Sequence, residues 1–484
     1  MLGNSGQTCS LYNKCMTLMK KTAALTLTLA LMAGLCTGCG DADSSGGDGA
    51  ASGSAGDMES VIDGAGATSG SAAEATPAFH GIDAPGFERT MENAKREASG
   101  EKYVHGEDGY FLLADHGADT ELKIQKGLRD SWVYAASTSM ESSSLVTKGE
   151  KITVDPYVIR DLVYDENRKE GIRPVAVSNK EIGGHGKYIV DTLTNGFGDR
   201  LLVTAIDCEH LSIDRIKDAI RTHGGMTAGM TEAHNGRGFY DGYFTQYDEE
   251  NKNDHTVTIV GWDDHFPKEI FTKTSFVPMP SQDGAWIAQD SLMNTDYIYI
   301  SYDTQILDAY IYELSDEYSD VATYDGGCEG SFGGVAENGF GKNGITVANV
   351  YHKKGTLGAV GTYITADNDN LKIRIVDEKT GRTLDYVSQS FDMPGYYTIP
   401  LTKPIEVQDY RIEITYEGSV PVEGEKWTSD DGYVRFKPTI QKGQSFVRIN
   451  KKWCDLAEKT TVKKMSLPAG FTPHNVCIKG LYIK

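Results

Sequence analysis

The sequence predicts an α+β unit followed by an antiparallel β-sandwich, and three observations lead there. At 484 residues the chain exceeds what one hydrophobic core organises. Between about residues 100 and 316, segments with helical spacing of apolar residues alternate with β-branched runs. From Leu371 onward, short runs of alternating apolar and polar residues follow one another between turn signals, the pattern of a sandwich.

The N-terminal part belongs to neither unit. "MKKTAALTLTLALMAGLCTGC", Met19 to Cys39, has a basic start, a short apolar run and small residues before a cysteine, the order of a secretory signal. Its end, Cys36-Thr37-Gly38-Cys39, resembles a bacterial lipobox with Cys39 as the lipidated residue, although the usual leucine three places earlier is Cys36. Residues 1–39 are therefore expected to be a signal peptide, with the true start at Met16 or Met19. Residues 40–95 are expected to form a tether. From Gly40 to about Thr76 they are mostly Gly, Ser, Ala and Asp, too poor in apolar side chains to offset chain entropy. A lipid at Cys39 and a stalk would hold the folded part outside the cytoplasm, at the bacterial cell surface.

The chain carries 47 Lys and Arg against 69 Asp and Glu, a net charge of −22. The lysines Lys14, Lys20 and Lys21 precede Cys39 and no acid does, so the exported part is more acidic still. Such a balance argues against nucleic acid as a partner. Cys208, Cys328, Cys454 and Cys477 are spaced as no zinc motif requires, and no metal or cofactor is called for. A Cys454–Cys477 bridge is left open.

The folded part opens with Gln125, five further residues, Ser131, then "WVYAASTSMESSSL". Trp132, Ala136 and Met140 make one helical stripe, so Ser131 falls at a helix N-terminus, where main-chain N–H groups and the helix dipole favour negative charge. Read alone, a serine there caps the helix. Farther on, "NDHTVTIVGWDD" gives a strand over Thr256–Val260 entered by His255. "DGAWIAQDSLMNTDYIYISYDT" gives a strand with Trp286 and Ile287, then Asp290-Ser291, then a strand over Tyr297–Tyr302.

These three blocks, in this order, resemble the papain-like cysteine peptidases, and more closely the bacterial members with a C-terminal lectin-like domain. The resemblance spans about residues 100–316 and implies a two-lobed papain-like α+β fold, with the peptidase unit at 96–318. "SIDRIKDAIRTHGGMTAGM" (Ser212 to Met230) is similar to the helix and strand before the histidine loop. The resemblance puts Ser131 at the nucleophile position, Gln125 at the oxyanion-hole donor, His255 at the base and Asp290 at the residue that orients it. Gly183 and Gly184 resemble the pair whose backbone binds the substrate chain. Trp132 joins them on the substrate side.

The exchanged residues decide the expected chemistry. A cysteine at this place ionises beside an imidazolium, whereas a serine hydroxyl must lose its proton during attack. Ser131, His255 and Asp290 nevertheless make the residue set of serine hydrolases. Around them, Arg129-Asp130 replaces the small Gly-Ser pair, Leu292 replaces a shielding tryptophan, and the following glycine-rich loop is Met293-Asn294-Thr295-Asp296. Arg129 is expected to pair with Asp130 or Asp290. The expectation is a catalytically inactive or strongly impaired homologue that binds peptide or protein in its cleft. The alternatives are a hydrolase with a Ser131–His255–Asp290 triad and a glycan- or wall-binding surface protein.

Residues 319–344, with "DGGCEGSFGGVAENGFGKNG" (Asp325 to Gly344), are expected to be a glycine-rich linker, and 345–484 the sandwich. "LKIRIV", "TLDYVSQSF", "YYTIPL", "YRIEITY", "SFVRIN" and "NVCIKGLYI" are its strands, with "DEKTG" as a turn. "GQSFVRI" and "NVCIKG" resemble the lectin-like domain, which implies a glycan as possible partner. "DNDN" (Asp367 to Asn370) reads as a hairpin turn, since no later glycine or glutamate completes a calcium loop.

Overall fold

The structure, a computed structural model, describes residues 106–484 apart from 107, 128, 166–171, 175–182, 232–236, 241–242, 248–252, 273–277, 294, 334–343, 367–368, 430–433, 466 and 468–470. The expected signal peptide, Cys39 and the tether lie outside the described residues, as do Asn294, Asp367 and Asn368.

The first unit runs β1 (Tyr110–Leu112), α1 (Ser131–Lys148), α2 (Pro156–Val163), β2 (Ile172–Pro174), α3 (Gly186–Leu193), β3 (Leu201–Asp207), α4 (Ile213–His223), β4 (Met226–Met230), β5 (Arg237–Tyr240), β6 (Tyr243–Gln246), β7 (His255–Asp263), β8 (Ala285–Gln289), β9 (Ile298–Ser301) and β10 (Tyr310–Ser315). Its sheet has the order β1-β7-β8-β9-β6-β5, with β4 on β7. All nine residues of β7 are buried, as suits its β-branched run from Thr256 to Val260. One core gathers around this sheet and α4. A second gathers around α1, α2 and α3, so the unit has two lobes.

Helix α1 departs from the single apolar stripe expected of it: Ser131 to Ser144 are all buried. Its serines stand among neighbouring chain rather than water, and they are hydrogen-bonded there as buried hydroxyls must be. Ser137 Oγ donates to Val154 O at 2.6 Å and Ser139 Oγ to Gly225 O at 2.6 Å. Glu141 accepts from the Val154 N–H at 2.7 Å and from Lys123 Nζ at 2.6 Å.

The second unit continues with β11 (Tyr318–Ala322), β12 (Gly330–Phe332), β13 (Ile345–Ile364), β14 (Asp369–Asp377), β15 (Thr383–Phe391), β16 (Gly395–Tyr416), β17 (Val420–Val422), β18 (Trp427–Thr428), β19 (Val434–Phe436), β20 (Ser445–Ile449), β21 (Lys452–Asp455), α5 (Lys459–Lys464) and β22 (Ile478–Ile483). The expected strands "YYTIPL" and "YRIEITY" are two stretches of β16, which pairs along β13. Their inward residues, among them Ile412, Ile414, Val347 and Val360, form one sandwich core.

Among the described residues, β12 and all of β11 after Tyr318 fall in the expected linker. β11 pairs with β22 and β12 with β17, and Phe332 is buried in the sandwich core. The glycines around Phe332 masked a strand only three residues long. The Cys454–Cys477 bridge that the sequence left open is not formed. Among the described residues Cys208, Cys328, Cys454 and Cys477 are free thiols; Cys454 is half-buried, and the Cys477 thiol is buried against Cys328. Of the expected turn at 367–370, Asp369 and Asn370 instead open β14, and the Asp369 carboxylate accepts from the N–H groups of Asn370 at 2.8 Å and Gly418 at 3.0 Å.

The two units share a sheet. Gly395–Tyr397 at the start of β16 pair with Thr204–Ile206 of β3, so the order runs β10-β3-β16-β13-β20-β21 across the boundary. A Cβ on Gly395 would stand 2.1 Å from Ala205 O, and its φ is 145°, so only glycine lets the strands approach here. The core of the helical lobe likewise includes Tyr363, Tyr396, Val434 and Phe436 of the second unit.

Candidate active site

Helix α1 begins where the lobes meet. The turn before it is left-handed at Arg129, whose φ is 66°. That region suits glycine, and an arginine held there costs about 1–2 kcal/mol. Asp130 occupies the helix cap without capping a main-chain N–H. Its carboxylate instead faces Arg160 at 3.4 Å, both groups buried. Arg160 therefore takes the partner that the sequence offered to Arg129. Burial pushes the Asp130 carboxyl above its usual range, with the Arg160 charge pulling the other way.

Ser131 is the first residue of α1, and His255 is the first residue of β7. Both line one cavity of about 290 Å³, together with Arg129, Trp132, Gly183 and Gly184. The hydrogen bond formed by Ser131 Oγ comes from the main-chain N–H of Thr256, at 3.3 Å. His255 Nε2 lies 2.9 Å from Asp290 Oδ1, with the two side chains 2% and 0% exposed. Asp290 follows β8 directly, and its Oδ1 also accepts from the Leu292 N–H at 2.9 Å. Leu292 itself points outward, 38% exposed, so the burial of Asp290 owes little to it.

Gln125 sits beside this group but not on the cavity lining. Its Nε2 donates to Gly127 O at 2.9 Å, and its Oε1 accepts from Ser291 Oγ at 2.6 Å. The amide is thus clamped from both ends, with one N–H left over. Trp132 packs its indole against Gly184, where an added Cβ would stand 2.5 Å from the ring. The carbonyl of Gly183 accepts from the Tyr164 hydroxyl.

The structure thus gathers Ser131, His255, Asp290, Trp132, Gly183 and Gly184, with Gln125 adjacent. The arrangement can orient an imidazole, hold its positive charge through Asp290, and present a hydroxyl at the positive end of a helix. Tyr188, Ser429 and Val434 also line the cavity. Sequence reasoning missed them. Ser429 and Val434 come from the second unit, beside strands too short to leave a periodic signal.

Residues 329–481 match the sequence model of the family described as Lectin like domain. Two solved structures share the fold. One is the clostridial cysteine protease Cwp84 after propeptide cleavage, with a TM-score of 0.60 at 16% identity, covering 77% of this chain and 98% of that one. The other holds the cysteine protease and lectin-like domains of Cwp84, a surface layer associated protein of Clostridium difficile, again with a TM-score of 0.60 at 16% identity, covering 77% and 88%. No curated protein matches the chain. The chain therefore has the fold of a papain-like cysteine peptidase joined to a C-terminal lectin-like domain.

Proposed function

We propose that this protein is a papain-like peptidase homologue that has lost catalysis, or nearly so, and uses its cleft to hold peptide segments at the bacterial cell surface. The observation that carries this reading is that, among the described residues, Ser131 Oγ makes one hydrogen bond, accepted from the Thr256 main chain, and none to His255. A serine that attacks a carbonyl needs its proton aimed at a neutral base, and the electrostatics suited to a thiolate do not ionise a hydroxyl. Arg129 adds bulk and charge to the cleft wall.

A serine hydrolase is the second reading, favoured by the 2.9 Å contact between His255 and Asp290. One reagent separates the two. A fluorophosphonate probe should leave Ser131 unmodified in the full-length protein. An adduct mapped to Ser131, lost in Ser131→Ala and strongly reduced in Asp290→Asn, would establish the triad instead.

The acidic charge suits neither nucleic acid nor an anionic lipid surface, so attachment falls to a lipid on Cys39. A palmitate analogue should label the protein, and Cys39→Ala should move it from the membrane to the soluble fraction. Unchanged fractionation would reject the anchor. The lectin-like domain is the part suited to a glycan, in line with the surface location of Cwp84.

A further inference from the structure

The second unit reaches into the cleft. Ser429 and Val434 line the same cavity as Ser131 and His255, and they do so from a fixed position. The Ser429 N–H donates to Val434 O at 2.8 Å, and the Val434 N–H donates to Ser429 Oγ at 3.0 Å. β19 pairs on its other side with β2 of the first unit, so this corner is tied to the helical lobe by a small shared sheet.

A polar clamp holds β18 from behind. Trp427 Nε1 donates to Glu329 Oε2 at 2.9 Å, and Lys187 Nζ bridges Glu329 Oε1 at 2.7 Å and Asp191 Oδ2 at 2.5 Å. Asp191 is fully buried and also accepts from the Tyr363 hydroxyl at 2.9 Å and the Cys328 N–H at 3.1 Å. Lys187 and Asp191 belong to α3, which begins right after the cleft residues Gly183, Gly184 and His185. The ring of Tyr188, also on α3, stacks near Trp427 with centroids 6.1 Å apart, and Trp427 stacks in turn near Phe436. A clamp built of the buried Asp191 carboxylate, the half-buried Lys187 and Glu329 that it joins, and stacked rings fixes where Val434 and Tyr188 stand.

The geometry points to a specificity subsite made jointly by the two domains: Tyr188 and Val434 form a pocket for one bulky apolar side chain of a peptide lying along Gly183-Gly184, and Glu329 positions it. This rests on the peptide-holding cleft proposed above. A papain-like unit without the second domain would lack Val434 and Ser429 in the lining of its cleft. The lectin-like domain is thus part of the peptide site and does more than follow it in sequence.

The test uses the full-length protein, a positional-scanning hexapeptide array and two substitutions that change the pocket in opposite senses. Wild type should show a preference for large apolar residues at one peptide position. Val434→Ala should weaken those peptides about tenfold, and Val434→Phe should shift that position alone toward Gly and Ala. Glu329→Gln, which keeps shape and removes charge, should blur the preference at that position with the others unchanged. Melting temperatures verify that each variant is folded. Profiles unchanged in both Val434 variants would overturn the shared subsite while leaving the peptide cleft standing. An array on which wild type retains nothing would overturn both. Retention on a glycan array that Val434→Phe abolishes would also overturn the subsite, because the corner would then serve sugars.

Discussion

Ser131→Cys should create the most reactive thiol of the protein. The new sulfur would sit at the first residue of α1, in one cavity with His255, whose ring is backed by a buried carboxylate 2.9 Å away. Such surroundings lower a thiol pKa from about 8.5 to as little as about 3.5–7.5. For a value near 5, the thiolate fraction at pH 6 rises roughly 300-fold. Lower basicity costs part of this in intrinsic nucleophilicity, roughly 30-fold, which leaves iodoacetamide alkylation about tenfold faster than that of an ordinary exposed thiol. The native cysteines make good internal standards. Cys454 is half-buried, while burial pushes the thiols of Cys208 and Cys477 up and slows them. Adducts mapped by mass spectrometry at pH 6 should appear first at position 131, and adding His255→Ala should remove the advantage. A rate no faster than that of Cys454 would mean that the cleft does not stabilise a thiolate at this position. The cleft would then be a binding groove only.

The geometry of the candidate site was readable in the sequence because the relevant residues sit at the ends of elements with strong local signals. His255 opens a strand whose nine residues are all buried, and Asp290 closes the five-residue strand beside it. Antiparallel pairing of Thr258 with Gln289 then brings His255 and Asp290 together without further information. What remained hidden depends on partners far apart in sequence. Nothing local in Tyr396 states that it will pair with Ala205, and nothing in Asp130 states that its cation is Arg160 and not the adjacent Arg129. The serine-rich face of α1 reads as solvent-exposed until Val154 O and Gly225 O are known to lie against it. The glycines of the expected linker hid β12 for a similar reason, since Phe332 earns its strand from Val420 across the gap.

Lys479→Met should cost about 3–5 kcal/mol of stability, the usual penalty for leaving one buried charge without its partner. Lys479 is fully buried on β22, and its ammonium meets Asp325 Oδ1 at 2.7 Å, Thr323 Oγ1 at 3.1 Å and Asn195 Oδ1 at 3.0 Å. Three chain segments converge on it: the turn after α3 in the first unit, the chain between β11 and β12, and the last strand of the sandwich. Met keeps the length and apolar stem of Lys, so the loss reports on the charge and not on a cavity. The carboxylate of Asp325 would be left with the Thr323 hydroxyl at 2.9 Å as its remaining side-chain donor. Asp325→Ala should restore much of the deficit when combined with Lys479→Met, because an ion pair removed whole no longer strands a charge. Urea denaturation of the four proteins gives the coupling directly, with an expected interaction energy of at least about 2 kcal/mol. The contact with Asn195 makes the result informative about the boundary as well. If Lys479 ties the two units together, the loss should shift the unfolding of both, seen as one transition moving to lower urea. A Lys479→Met protein within about 1 kcal/mol of wild type would mean that water reaches Asp325, against the complete burial of both side chains.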